Sequence, residues 1–195
     1  MKLLAIGAHY DDCVFGIPGT LLRAANQGHH VTILSVIGNY RNWAPVGEDR
    51  QDALIEGTTT LCRERGVEAR FLNYQSMGVE VNESSKRAVA EVVAEEKPDV
   101  GFLLWPRDSH PDHEVVSQLS KAAFNWSGAI LGEDRGIRPP RRLYYYDNGP
   151  RHTTGFEPDT FMDVEDVSSD ALDWLSSLMG LALGPDIGRT AAPIE

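Results

Sequence analysis

The chain has 195 residues, 42% hydrophobic and 24% charged, which suits one globular domain and excludes a mainly disordered chain. Its 18 Lys and Arg stand against 29 Asp and Glu, a formal charge of −11. With no basic block to offset it, that balance argues against partners made of nucleic acid or anionic membrane.

No apolar run reaches the roughly 18 residues of a membrane span. Met1 to Ala8 is too short for a signal-peptide core and reads as strand. The first element is therefore Lys2 to Gly7, a buried strand. Thr20 to Gln27 has helical spacing and stops at Gly28, a C-cap residue. His30 to Ile37 is β-branched and predicts a second strand. Asp49 to Arg65 reads as a long helix ended by Gly66, and Val67 to Leu72 as a weaker third strand. Ser84 to Lys97 predicts a helix with Val89, Val92 and Val93 on one buried face, ended by Pro98. Val100 to Trp105 is a fourth strand, Asp112 to Phe124 a helix, and Arg142 to Tyr146 a fifth strand. Thr160 to Val164 reads as a sixth strand, followed by a last helix from Ser168 to Met179 and a tail from Gly180 expected to fray.

Strands alternating with helices predict βαβ units. The expected fold is a single α/β, Rossmann-like domain spanning 1–195, with a mainly parallel sheet of five or six strands and helices on both faces. In the common strand order 3-2-1-4-5, strands one and four flank the crevice at the carboxyl ends where such sheets bind ligands. Two motifs fall there. Ala8-His9-Tyr10-Asp11-Asp12 follows strand one, and Asp108-Ser109-His110-Pro111-Asp112-His113-Glu114 follows strand four.

A catalytic zinc takes three nitrogen or oxygen ligands and keeps a position for water. His9 and Asp12 lie three apart on one loop and can reach one ion, with His113 as third ligand. A metal lowers the pKa of its water to about 7. Asp11 can take that water's proton. His110 can donate to an oxyanion or a leaving amine, and Asp112 can orient His110. Singly, each of these residues also reads as a turn or capping residue. On spacing alone both readings stand.

The pair AHYDD and HPDHE resembles the zinc-dependent N-deacetylase family called LmbE-like or PIG-L, whose hallmarks are AHPDD after the first strand and HPDH after the fourth. Gly16 to Leu21, Lys97-Pro98-Asp99 and Arg142 to Tyr146 also look familial. The resemblance implies His9, Asp12 and His113 as zinc ligands, Asp11 as general base, and His110 with its partner Asp112 at the oxyanion. It implies an N-acylated amino sugar or sugar-bearing small molecule as substrate, and it favours a homo-oligomer. Tyr10 stands where the family has proline, Cys13 where glutamate is common, and Pro18 where glycine is usual. The family's lysine and Ser-Gln after Phe161 to Val164 are missing. Some relatives are hydratases, so a hydratase or lyase acting on a small oxo acid, or a ligand-binding protein without catalysis, are the competing readings.

Arg50 matches a family arginine facing the pocket and is a candidate for binding substrate oxygen. Tyr40 and Trp43 follow strand two and either stack on a sugar face or pack the loop onto the body. His29 and His30 read as structural, and His152 as solvated. Cys13 and Cys62 lack CxxC spacing and read as reduced thiols of a cytoplasmic protein. GAHYDD lacks the GxGxxG of a dinucleotide site, and its two carboxylates would repel a pyrophosphate. Two histidines and a carboxylate can also hold iron, but that triad is usual on β-barrels.

Overall fold

The computed structural model describes residues 1–132, 136–149 and 152–183, without the side chains of residues 48 and 49. Five parallel strands form one sheet in the order β3-β2-β1-β4-β5: β1 Lys2–Gly7, β2 His30–Asn39, β3 Val67–Gln75, β4 Val100–Leu104 and β5 Arg142–Tyr146. The helices are α1 Asp12–Gly16, α2 Pro18–Asn26, α3 Gly47–Arg63, α4 Glu83–Glu96, α5 Pro111–Leu131 and α6 Ser168–Leu183.

The connections explain the layering. Right-handed crossovers from β1 to β2 to β3 put α2 and α3 on one face, and the chain's return to β4 and then β5 puts α4 and α5 on the other. Accordingly, α4 and α5 pack on each other and against β1 and β4, whereas α6 packs on α2 and α3. Central strands β1, β2 and β4 are buried along almost their whole length, and edge strands β3 and β5 are only partly covered. Near-continuous apolar runs in the sequence follow from burial on both faces.

Two expectations need correction. Among the described residues the sheet has five strands, within the expected five or six, but Thr160 to Val164, the candidate sixth, is not a strand. Arg23 donates to the Asp163 carbonyl and pairs with Asp166 at 3.0 Å, drawing this segment over α2 and leaving Phe161 81% exposed. Conversely, a helical turn, α1, begins at Asp12, where the sequence reading had only a loop. Of the tail from Gly180, the part from residue 184 lies outside the described residues.

Helix starts are locally encoded. Asn82 and Ser85 form a reciprocal capping box for α4, and Lys97 ends it in the left-handed region just before Pro98. His110 caps α5. Its Nδ1 accepts from the backbone N–H of Asp112 at 3.2 Å, and Pro111 occupies the first turn. The HPDH motif is thus also a helix start, and this directs Asp112 and His113 back toward β1.

The face of β1, β4 and β5 away from α5 carries a groove of about 790 Å³ lined by Phe102, Trp105, Tyr144 and Phe156. None of His9, Asp11, Asp12, His110, Asp112 or His113 lines it.

Candidate metal centre

The carboxyl ends of β1 and β4 are hydrogen-bonding neighbours, so the two motifs meet despite about a hundred intervening residues. Gly7 permits the first turn, since a Cβ built there would lie 2.8 Å from Asp12 Cβ. Asp12 then folds back. Its Oδ2 accepts from the backbone N–H groups of Ala8 at 2.7 Å and His9 at 2.8 Å.

Three side chains bring their donor atoms together. His113 Nε2 is 3.3 Å from His9 Nδ1 and 3.3 Å from Asp12 Oδ1, and His9 Nδ1 is 3.6 Å from Asp12 Oδ2. A tetrahedral zinc with bonds of about 2.0–2.1 Å separates its ligands by roughly 3.3 Å, the spacing of His113 Nε2 from both of its neighbours, so these side chains suit such an ion. The outer partners of both imidazoles agree with that use. His9 Nε2 is hydrogen-bonded to Asp112 Oδ2 at 3.1 Å and His113 Nδ1 lies 3.0 Å from Asp108 Oδ2, so each ring has a carboxylate on the side away from the cluster to favour a proton there.

Asp112 therefore does a different job from the one read from the sequence. Its carboxylate accepts from His9, from Ser76 Oγ at 3.4 Å and from the Met77 N–H at 2.9 Å. It meets His110 through its backbone N–H. It orients a metal-ligand candidate, His9. His9, His110 and Asp112 also come within 4.8 Å of one another. That trio is the more open of the two, because His110 is only half-buried whereas His113 is buried.

The electrostatics follow from charges buried together. Burial works against charge on Asp12, but His113 and then His9 outweigh it and hold the carboxyl well below the usual range. For His9, burial is likewise outweighed by Asp12 and the Asp112 hydrogen bond, pushing its pKa up to about 10. A cation held between these residues would take the place of that proton. Burial also opposes charge on His113, yet Asp12 and Asp108 raise its pKa. His110 moves the other way, lowered by burial and by His9 and His113. With Nδ1 committed to the helix cap, a neutral His110 carries its proton on Nε2. Burial and the Asp12 charge raise Asp11 to about 6, with His9 and His113 pulling the other way. Asp11 stands at the N-cap of α1 but makes no capping bond with its side chain.

The three residues assigned to substrate fare differently. Arg50 donates to the carbonyls of Pro45 at 3.1 Å and Leu181 at 2.9 Å, so its guanidinium ties the loop before α3 to the end of α6. Tyr40 is 1% exposed; its hydroxyl accepts from the Tyr10 N–H at 2.9 Å and donates to Ile37 O at 3.1 Å. Trp43 leans on the rings of Tyr10 and Tyr40. These three aromatic side chains pack the loop onto the body, and the sugar-stacking expectation for Tyr40 is corrected by its burial. Tyr10, in the family's proline position, joins this packing. Cys13 is buried, with Sγ 3.5 Å from the Tyr146 hydroxyl, and burial pushes its thiol pKa up.

Sequence reading passed over three neighbours of the cluster. Asp108 belongs to the second motif but had no role. Asn148 follows β5, and its Nδ2 donates to Asp12 Oδ1 at 2.8 Å. His152, read as solvated, is exposed, yet its ring lies 5.8 Å from that of His113 and 6.2 Å from that of His110. The strand-end rule that located the two motifs applies equally to β5 and would have drawn attention to Asn148.

A family model described as PIG-L: GlcNAc-PI de-N-acetylase matches residues 4–124. The chain belongs to the PIG-L family. The curated diacetylchitobiose deacetylase of Thermococcus kodakarensis is 24% identical over 85% of this chain, which spans only 64% of that relative's length. Among solved structures, N,N'-diacetylchitobiose deacetylase from Pyrococcus horikoshii, complexed with its inhibitor MPG, superposes with a TM-score of 0.75 at 22% identity, covering 97% of this chain and 73% of that one. The 4-carboxy-2-hydroxymuconate hydratase GalB from Pseudomonas putida does so at 0.72 and 18%, covering 100% of this chain and 92% of that one. These likenesses show a PIG-L fold shared by proteins named for different reactions.

Proposed function

We propose that this PIG-L protein is a zinc-dependent N-deacetylase that removes an acyl group, acetyl in the simplest case, from an amino sugar or a sugar-bearing small molecule. The observation that carries the reading is the meeting of His9, Asp12 and His113, with His113 Nε2 3.3 Å from both His9 Nδ1 and Asp12 Oδ1. The family's description, and the relative named as a deacetylase, support the reaction class.

His9, Asp12 and His113 would hold the ion, which when bound brings the pKa of water near 7 and polarises an acyl carbonyl. Asp11, with its pKa raised to about 6, is poised to accept the attacking water's proton and to pass it to the departing amine. His110, with its proton on Nε2, donates to the acyl oxygen as that atom takes on charge. Asp108 and Asp112 keep the two ligand imidazoles in the tautomers that ligation needs. The products are a free amine and a carboxylate.

The test is metal analysis of purified protein alongside acetate release from N-acetylglucosamine conjugates. Protein that contains no divalent metal and takes none up sinks the proposal. The hydratase-like neighbour favours one second reading, water addition to a small unsaturated oxo acid using the same residues. Parallel assays on acylated amines and unsaturated carboxylates separate the two. Turnover of neither class by zinc-loaded protein would favour a binding role instead. Among the described residues no helix is long and apolar enough to cross a membrane.

A further inference from the structure

We propose that Asn148 is a positioning residue of the metal site, its side-chain amide fixing the Asp12 carboxylate in the orientation that ligation needs. The inference rests on the metal-site reading above.

Asn148 lies two residues beyond β5 and is 6% exposed. A buried amide is costly unless it is hydrogen-bonded. Among the described residues its Nδ2 finds its partners in the cluster: Asp12 Oδ1 at 2.8 Å and His113 Nε2 at 3.5 Å. Its Oδ1 is buried and has no hydrogen-bond partner among the described residues. The side chain is held toward the cage although half of its bonding capacity goes unused.

The Asp12 carboxylate shows what that placement achieves. Oδ2 is taken by the Ala8 and His9 N–H groups, which leaves Oδ1 as the ligating oxygen. Asn148 occupies one side of Oδ1, and His113 Nε2 faces it at 3.3 Å. Three N–H donors from two separate segments therefore stop the carboxylate from turning. The third is neutral, so it orients Asp12 without bringing a positive charge that would repel the cation. The β5 end is itself anchored, since the Tyr146 hydroxyl donates to Ile6 O at 3.1 Å and the Trp105 N–H to Tyr146 O at 3.1 Å.

The loop around Asn148 does not depend on the amide. The Asn148 N–H donates to Thr153 Oγ1 at 3.2 Å, and the Gly149 N–H to Asp147 Oδ1 at 2.9 Å. Gly149 holds a φ of +99°, and a Cβ there would meet Phe15 at 2.6 Å. Truncating the side chain thus tests the contact with Asp12.

The experiment compares stripped wild type, Asn148→Ala and His113→Ala for zinc affinity by competition with a chromophoric chelator, for the visible spectrum of the cobalt(II) form, and for melting temperature without metal. Asn148→Ala is expected to bind one equivalent about 10–100-fold more weakly. Its cobalt spectrum should keep the wild-type shape, and its metal-free melting should match wild type. Affinity within twofold of wild type overturns the proposal, as does a cobalt spectrum altered like that of His113→Ala, which would make Asn148 a ligand. A lowered melting temperature with unchanged affinity overturns it too, in favour of a merely structural role. Wild type that binds no metal fails the site reading itself, and that outcome is visible before any variant is made. Should Asn148→Ala not fold, the side-chain amide signals of Asn148 in wild type decide. Protection from exchange with and without zinc supports the clamp, and loss of protection on loading overturns it.

Discussion

Two charged clusters sit at opposite ends of the same parallel sheet and are built on opposite logic. At the amino ends, Arg70 reaches Glu96 at 2.7 Å and Glu95 at 2.6 Å, while Thr32 and His30 complete the shell of Glu96. Both carboxylates there share one guanidinium, a fixed positive charge. At the carboxyl ends, Asp12 and Asp112 face imidazoles, backbone N–H groups and an amide. Those donors orient the carboxylates, and the inward imidazole nitrogens lie beside them. The difference lies in which partners the carboxylates have, since both ends are rich in them. At the amino ends the positive charge is a fixed guanidinium, whereas at the carboxyl ends it sits on imidazoles, which can give up their protons to a cation.

His113→Ala breaks this contrast most directly. It removes a donor from the cage, so bound zinc after dialysis should fall from one equivalent to a small fraction. The affinity loss should exceed the roughly 100-fold typical of outer partners. A variant that keeps zinc normally refutes the ligand set. Asp11→Asn comes next. It should retain zinc and lose about 10²–10⁴-fold in kcat, as removal of a general base does. Loss of metal instead would mean that Asp11 is a ligand, and the proton-transfer role would fall.

Glu96→Gln sharpens the comparison from the other end. Burial alone would raise the Glu96 pKa, but the Arg70 hydrogen bond and then that of Thr32 outweigh it and hold the pKa below the usual value. A depressed folded-state pKa contributes stability that is complete above the usual carboxylate range and disappears as pH falls through the folded value. The substitution should therefore cost about 1.5 kcal/mol near pH 7 by denaturant melts. The gap to wild type should close once acid protonates Glu96. A gap that stays constant down to pH 3 would mean that the lost contribution is packing rather than charge.

The scaffold was legible because burial writes itself into runs of residues. The β-branched run from His30 and the apolar run from Val100 both became central strands, and Lys97-Pro98 ended its helix as expected. The meeting of the two motifs followed from strand order alone. Pairing within the site was harder to read. Asp112 was assigned to its chain neighbour His110, but a carboxylate at the second position of a helix points away from the cap, and the ring it faces is that of His9. Asn148 reaches Asp12 across 136 residues, a contact that no local pattern records. Phe161 and Met162 looked like strand residues by hydrophobicity, yet tethers on Arg23 dictated their path.

The dual use of His110 has a practical consequence for anyone editing this protein. Its ring is also the bracket on which the first turn of α5 is hung. Replacing it with alanine would unpick that turn and shift two further site side chains at once, so a dead variant would say little about chemistry. Asparagine or serine, which start helices well on their own, would keep the turn while deleting the imidazole, and they are the substitutions from which the ring's chemical contribution can be measured cleanly.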